Sequence, residues 1–201
     1  MGKTNSLEAQ DQTVNSKICV SLTTNHKRII IAAALFFLLL GCSKKNNDPT
    51  RRSILLEQLR NSHTNKNWFV PTKIAIEGLT AEQVNLKDSS GNHSIGELVS
   101  HLIFWNDRIL IAFNGSTPQH FNNDNEITFT EFTTIDWKLA VAKLDSIQSK
   151  WEQSLENSTD EQLNKWSSEI ANLCMHNAYH TGQIIYIRKQ NGWWEKSKGV
   201  K

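Results

Sequence analysis

Apolar residues recur every three to four positions through most of residues 51–195, and this period constrains the fold more than any other feature of the sequence. No strong run of alternating apolar and polar residues interrupts it, so we predict helices rather than strands. The first helical region is predicted from Arg51 to Leu79. Pro71 lies within it and indicates a kink or a restart, because proline lacks the backbone N–H that a helix interior requires.

A second helix is predicted after the polar loop at residues 89–92. Ser94 followed by Glu97 is the pattern of a capping box, in which each side chain accepts a hydrogen bond from the other residue's backbone N–H. Asn114-Gly115 is a favourable helix end. The apolar stripe of this helix consists of Ile95, Leu98, Leu102, Trp105 and Ile109.

Two further helices are predicted in the C-terminal half of the chain. One runs from about Thr134 to Leu155, with an apolar face along its length. Ser158 with Glu161 is another capping-box pattern, which is predicted to open a short helical turn. The last helix is predicted to begin near Ser168 and to end at Asn191-Gly192.

A long polar segment, residues 116–133, separates the second predicted helix from the third. A link of about eighteen residues can cross the length of a bundle and let those two helices run parallel, whereas short links make neighbours antiparallel. Amphipathic helices bury their apolar faces against one another. We therefore predict an all-α fold, a four-helix bundle with a long crossover between helices 2 and 3.

Residues 1–41 have the parts of a lipoprotein signal rather than of a folded domain. A basic patch precedes a run of apolar residues from Ile29 to Leu40, which is shorter than the about 20 residues of a membrane helix. Gly41 then precedes Cys42, so we predict cleavage before Cys42 and lipid modification of its thiol. The alternative is an uncleaved N-terminal anchor.

The rest of the chain then divides into three parts. Residues 42–50 are predicted to be a solvated tether, residues 51–195 one helical domain, and residues 196–201 a polar tail. A lipid anchor implies a membrane as partner and a location in the bacterial cell envelope, facing the periplasm or the exterior.

Charge and cysteine content exclude two classes of protein. The formal net charge is +2, and the signal region holds two more basic than acidic side chains, so the mature chain is neutral and no nucleic-acid partner is expected. Cys19 and Cys42 both precede the domain. Cys174 is then the only thiol left, which rules out an internal disulfide and favours a buried structural thiol.

Histidines supply the candidate chemistry. His176 and His180 are four residues apart, so their rings lie on one face of the last helix and could share a metal ion. A third ligand is best supplied by His101, which borders the apolar stripe of the second helix. Three uncompensated imidazoles in a small core would be costly to bury, and a shared metal would remove that cost. His63, His93 and His120 fall in or near polar loops, where a solvated histidine is the expected state.

The sequence resembles the DinB-like superfamily of metal-dependent enzymes, which includes the bacillithiol-transferase and maleylpyruvate-isomerase types. The matching residues are Gly-Glu-Leu-Val-Ser-His at 96–101 and His-Asn-Ala-Tyr-His-Thr-Gly-Gln-Ile at 176–184. The resemblance covers residues 54–194, nearly the whole domain.

The resemblance implies that His101, His176 and His180 bind a divalent metal, commonly zinc or nickel, inside a bundle with a crossover between helices 2 and 3. It also implies that a homodimer can form. Three nitrogen ligands leave a coordination position open, as in catalytic zinc sites. We therefore predict a metal-dependent hydrolase or transferase acting on a small molecule. A non-catalytic binding or interaction module that holds a metal is the alternative.

Three neighbouring residues refine this prediction. Asn177 stands where a zinc protease of the His-Glu-x-x-His type has its general base, and an amide cannot serve as that base. Glu97 lies one turn before His101 and is a candidate catalytic base, although its capping role explains it equally well. Gly182 is predicted to let another helix approach closely.

Overall fold

The computed structural model describes residues 49–89 and 91–200. The predicted signal region, the lipid site at Cys42 and most of the tether lie outside these residues. Within them the chain is helical, and none of the described helices is both long and apolar enough to span a bilayer.

The predicted helical region from Arg51 to Leu79 is interrupted near Pro71, as expected, and residues 51–85 form three separate helices, the last of them beyond the predicted region. These are α1 (Arg51–His63), α2 (Thr72–Ile76) and α3 (Ala81–Asn85). The helix α2 restarts immediately after Pro71, as the proline indicated. Gly78 then turns the chain with a φ of +75°, a left-handed conformation that favours glycine.

The second helix, α4 (Ile95–Phe113), agrees with its prediction at both ends. The backbone N–H of Glu97 donates to Ser94 Oγ at 3.2 Å, and the N–H of Ser94 donates to Glu97 Oε2 at 2.8 Å. The capping box is therefore confirmed. At the other end Asn114 caps the helix, and Gly115 takes a φ of +83°.

The C-terminal half contains two long helices, α5 (Thr134–Glu156) and α6 (Asp160–Gln190). The predicted short turn and the predicted start near Ser168 are both wrong. The cap of α6 is Thr159, whose hydroxyl accepts from the N–H of Gln162, while the Ser158 hydroxyl donates to the Leu155 carbonyl. The helix continues through Ser167, whose hydroxyl donates to the Leu163 carbonyl four residues back.

Contacts between α4 and α5 show that the two helices run parallel. Near their C-terminal ends the ring centroids of Phe113 and Trp151 are 5.2 Å apart, and the Trp151 indole donates to the Asn106 carbonyl at 3.0 Å. Near their N-terminal ends the Phe132 ring lies beside Gly96. The segment between them therefore crosses the bundle, which confirms the predicted crossover. It contains one 3-10 turn, Asn125–Thr128.

The four long helices α1, α4, α5 and α6 enclose a core of large apolar side chains. The largest fully buried members are Trp151, Ile95, Leu102, Leu144, Leu155, Ile170, Leu173 and Ile184. Each buried side chain of this size contributes on the order of 1.5–3 kcal/mol to the free energy of unfolding. This core fixes the facing surfaces of α4 and α6, on which the histidines lie.

Candidate metal centre

Three histidines from two helices meet inside the bundle. His101 extends from α4, and His176 and His180 extend from α6. The Nε2 atom of His176 lies 3.0 Å from Nε2 of His101 and 3.1 Å from Nε2 of His180. All three candidate ligand atoms lie within 4.8 Å of one another. Among the described residues this is the one group of three or more histidine, cysteine, aspartate or glutamate side chains so arranged.

The donor set fits a divalent metal. Zinc binds imidazole nitrogens at about 2.0–2.1 Å, and two such nitrogens on a tetrahedral ion are about 3.3 Å apart. The two short Nε2–Nε2 distances are close to that value. One proton can serve at most one of the two short contacts. The remaining nitrogen lone pairs face one another at close range, and a shared cation would relieve their repulsion.

A hydrogen bond to Thr128 fixes the proton of His101. The Thr128 hydroxyl donates to the Asn125 carbonyl at 2.7 Å, so its oxygen is free to accept from His101 Nδ1–H, also at 2.7 Å. A proton on Nδ1 leaves Nε2 as the atom with a lone pair. The crossover turn thus holds His101 in the tautomer that a metal ligand at Nε2 requires.

Gln183 does the same for His180. Its Oε1 atom lies 2.6 Å from His180 Nδ1, and a carbonyl oxygen can only accept, so Nδ1 carries the proton. Gln183 is on the turn of α6 that follows His180. The ligand orientation of this histidine is therefore set within its own helix.

Burial keeps the three rings neutral. It lowers the pKa of His101 from 6.5 to about 3 and the pKa of His176 from 6.5 to about 4, and neighbouring histidines add to both shifts. The pKa of His180 is also lowered, first by burial, although the Gln183 hydrogen bond opposes this. Neutral imidazole is the form that binds a metal, so protons compete weakly for this site.

We expect the metal-free protein to lose stability as pH falls from about 6.5 towards 4. In this range histidines of the unfolded chain take up protons near their ordinary pKa, while His101 and His176 in the folded chain do not. The unfolded state then binds more protons, which lowers the free energy of unfolding. Urea denaturation at several pH values measures this, and bound zinc should raise the stability without flattening the dependence, because the liganded rings also take up no protons in this range. A metal-free protein equally stable at pH 7 and pH 4.5 would contradict the burial of neutral rings.

Replacing Thr128 with valine should weaken zinc binding by about 10–100-fold, the usual effect of removing a partner that orients a ligand. Valine keeps the shape but cannot accept from His101 Nδ1–H. Competition with a chromophoric chelator measures the affinity. Thr128→Ser is the matched control because it keeps the hydroxyl and should bind zinc almost normally. Equal affinities of the two variants would show that the hydroxyl has no such role.

Aromatic stacking from the crossover completes one wall of the centre. The Phe129 ring stacks on His101 with centroids 4.3 Å apart, and His93 stacks on the other face of Phe129 at 3.6 Å. The helical pattern of the sequence gave no sign of Thr128 or Phe129, because both lie in the polar link. The same link contains several other threonines and phenylalanines, so residue type did not single these two out.

Glu97 is engaged away from the three histidines. Its Oε2 atom accepts from the Ser94 N–H, and its Oε1 atom lies 2.5 Å from Lys87 Nζ. Burial raises the pKa of Glu97, but Lys87, the Ser94 amide and His93 together hold it below the ordinary value. The side chain is therefore a carboxylate with little basicity. Its geometry favours the capping role over that of a catalytic base.

The Asn177 side chain bonds to a different partner from that of its sequence neighbour His176. Its amide and that of Asn106 exchange two hydrogen bonds, of 2.7 and 3.0 Å, and both side chains are almost completely buried. The residue at the protease position is therefore part of a structural link between α4 and α6. It has no hydrogen bond to the three rings within the described part of the chain.

The predicted role of Gly182 is wrong. A Cβ atom built there would meet nothing within 4 Å in the described part of the chain, so none of the described helices packs against it. Glycine lowers the stability of a helix by about 1 kcal/mol relative to alanine, and no packing contact of the described residues offsets this loss. Cys174 is a buried free thiol, as predicted, and burial raises its pKa to about 12.

Of the other three histidines predicted to be solvated, one is not. His120 is exposed on the crossover, and His93 is half-buried against Phe129. His63 is buried, which contradicts the prediction of a solvated side chain. Its two ring nitrogens each lie 2.8 Å from a carboxylate oxygen of α5, one of Glu152 and one of Asp145. Helix α1 ends at this residue, so a position that looked like the start of a loop still faces the core.

Comparison with known proteins places this fold in a family. The structure of YfiT from Bacillus subtilis, described as a probable metal-dependent hydrolase with an unusual four-helix bundle topology, is similar, with a TM-score of 0.52 and 17% identity. The match covers 77% of this chain and 92% of that one, and at this identity it shows the shared fold. No curated protein matches the chain. The family model of the DinB superfamily matches residues 72–184, which include all three clustered histidines. The chain belongs to the DinB superfamily.

Proposed function

We propose that this protein is a lipid-anchored, metal-dependent hydrolase or transferase that acts on a small molecule, with zinc or nickel held by His101, His176 and His180. The observation that supports it most is the convergence of three Nε2 atoms, two of which belong to rings whose other nitrogen is committed to Thr128 or Gln183. Nitrogen ligands of this kind suit zinc and nickel.

Each residue of the centre has a distinct task. A divalent metal bound here would supply Lewis acidity and would lower the pKa of a water molecule or a substrate group. Thr128 and Gln183 hold the protons of two ligand rings away from the centre. Phe129 covers one face of His101 and excludes water from that side. Three ligands leave a position open for a substrate.

A specific observation also favours a second function, a module that holds a metal and a ligand without turnover. Within the described residues, the hydrogen bonds of the three rings go to Thr128, Gln183 and one another, and none goes to a carboxylate. Glu97, the candidate base from the sequence, is occupied elsewhere. An enzyme with this site would need a proton acceptor other than Glu97.

A substrate panel separates the two functions. Purified protein loaded with zinc or nickel is tested on esters, amides and thiol conjugates, with His176→Ala as the control. Turnover that requires both metal and His176 supports the enzyme. Stoichiometric metal without turnover of any panel member would favour the binding module.

The lipid anchor is tested separately, because it rests on the sequence around Gly41-Cys42. Cells expressing the protein are labelled with a fatty-acid probe. We expect labelling of the wild type and none of Cys42→Ser. Labelling that persists in the variant would rule out Cys42 as the modified residue.

A further inference from the structure

We propose that the cleft between residues 86–88 and 91–93 on one side and the outer face of α6 on the other is the substrate pocket of the histidine centre, and that it takes an uncharged small molecule with a flat ring. The inference rests on the function proposed above and names the class of its substrate.

The cleft has the size of a ligand site. Its volume is about 970 Å³, at the upper end of the about 300–1,000 Å³ of small-molecule pockets. One wall is the loop that precedes α4, and the opposite wall is α6 between Tyr179 and Asn191. Leu98 of α4 also contributes to the lining.

Three lining residues connect the cleft with the histidine centre. Gln183 is the residue that accepts from His180 Nδ1–H. The Tyr179 ring lies against the His180 ring, with centroids 5.0 Å apart. On the opposite wall His93 stacks on Phe129, the ring that covers His101. A molecule in the cleft would therefore touch the groups that hold the candidate ligands in place.

Gly182 keeps the middle of the cleft open. It lines the cleft, and a Cβ atom there would meet no neighbour within 4 Å. No contact between the described helices requires a glycine here. The missing side chain instead leaves room above this turn of α6. A methyl group fits here, whereas a side chain as large as leucine would project into the cleft.

The lining carries little net charge. Its formal charges are one cation, Lys87, and one anion, Asp88. Lys87 pairs with Glu97 at 2.5 Å, which further reduces its attraction for an anionic ligand. The other polar groups of the cleft are uncharged amides and phenols apart from the imidazole of His93: Asn92, Tyr179, Gln183, Tyr186, Gln190 and Asn191. Apart from any bound metal, the lining offers almost no net charge to a charged substrate, which would lose part of its hydration on entering.

Two exposed tyrosines indicate that the substrate carries a flat ring. Tyr179 is 64% exposed and Tyr186 is 63% exposed, although both line the cleft. They are seven residues apart on α6, about 10 Å along the helix axis, with Gly182 between them. Aromatic rings so placed favour stacking or edge contacts with a flat ring above the glycine.

Binding of acetanilide, an uncharged and stable ring amide, tests the inference without requiring turnover. Full-length protein is loaded with cobalt(II), whose unpaired electrons broaden the NMR signals of nearby protons, and its metal content is measured first. We expect acetanilide signals to broaden, 4-acetamidobenzoate to bind several-fold more weakly, and Gly182→Leu to reduce acetanilide affinity by about tenfold or more. Gly182→Ala, the matched control, should bind almost as well as the wild type.

The outcomes separate the two proposals. A wild-type protein that takes up no metal would refute the metal function. Metal-loaded protein in which Gly182→Leu binds acetanilide normally, or in which the carboxylate analogue binds equally well, would refute the cleft as the pocket for uncharged substrates. Cobalt binding should be the same in both glycine variants, which shows that any loss of affinity arises in the cleft.

Discussion

Replacing His176 with alanine should lower zinc affinity by more than the about 100-fold that loss of an orienting partner can cause. His176 has the central position of the cluster, since its Nε2 atom makes both short contacts, to His101 and to His180. Without it, two imidazoles on different helices remain, too few for a stable zinc site. The affinity can be measured by chelator competition, and metal per chain by elemental analysis after purification.

His120→Ala is the control for this experiment, because His120 is an exposed histidine on the crossover. It should bind zinc like the wild type. The His176 variant should also remain folded, as judged by far-UV circular dichroism. Normal metal content in folded His176→Ala protein would mean that the cluster is not the metal centre.

Replacing Asn177 with leucine should lower the free energy of unfolding by about 2–4 kcal/mol. The substitution removes both hydrogen bonds of the amide pair and leaves the Asn106 side chain buried with a donor and an acceptor unpaired. The remaining bond of Asn106, to the Leu102 carbonyl at 2.8 Å, satisfies its amide only in part. Urea denaturation gives the change directly.

The double variant Asn106→Leu/Asn177→Leu tests the cause. If unpaired amide groups account for the loss, removing both should cost clearly less than the sum of the single substitutions. Additive losses would show that the two amides do not depend on each other. Zinc affinity should stay unchanged whenever the variants are folded, since neither amide bonds to the three rings within the described residues.

The sequence predicted most of the fold where local signals and the core agreed. The bounds of α4 follow from a capping box at Ser94 and a glycine at residue 115, both of which act through the backbone of the same helix. The crossover followed from the length of residues 116–133 alone. The break in residues 51–85 was harder to predict. Pro71 marks a restart, but five-residue helices such as α2 and α3 are too short for the apolar pattern to repeat.

The three clustered histidines could be predicted because helical spacing puts two of them on one face and an apolar stripe directs the third towards the core. Their partners could not be predicted. Thr128 and Phe129 reach His101 from the crossover, where no periodicity relates residue number to position in space. The errors at His63 and Gly182 have a similar origin. Whether a residue at a helix end or on a helix surface meets a neighbour depends on packing between elements distant in the sequence.

X-ray absorption spectroscopy at the zinc edge of the loaded protein tests the three-histidine centre most directly. We expect three imidazole nitrogens at about 2.0–2.1 Å, together with lighter ligands in the open position. The signal of at least one imidazole should disappear in His101→Ala. A sulfur ligand at about 2.3 Å, or fewer than three imidazoles in the wild type, would contradict the three-histidine centre.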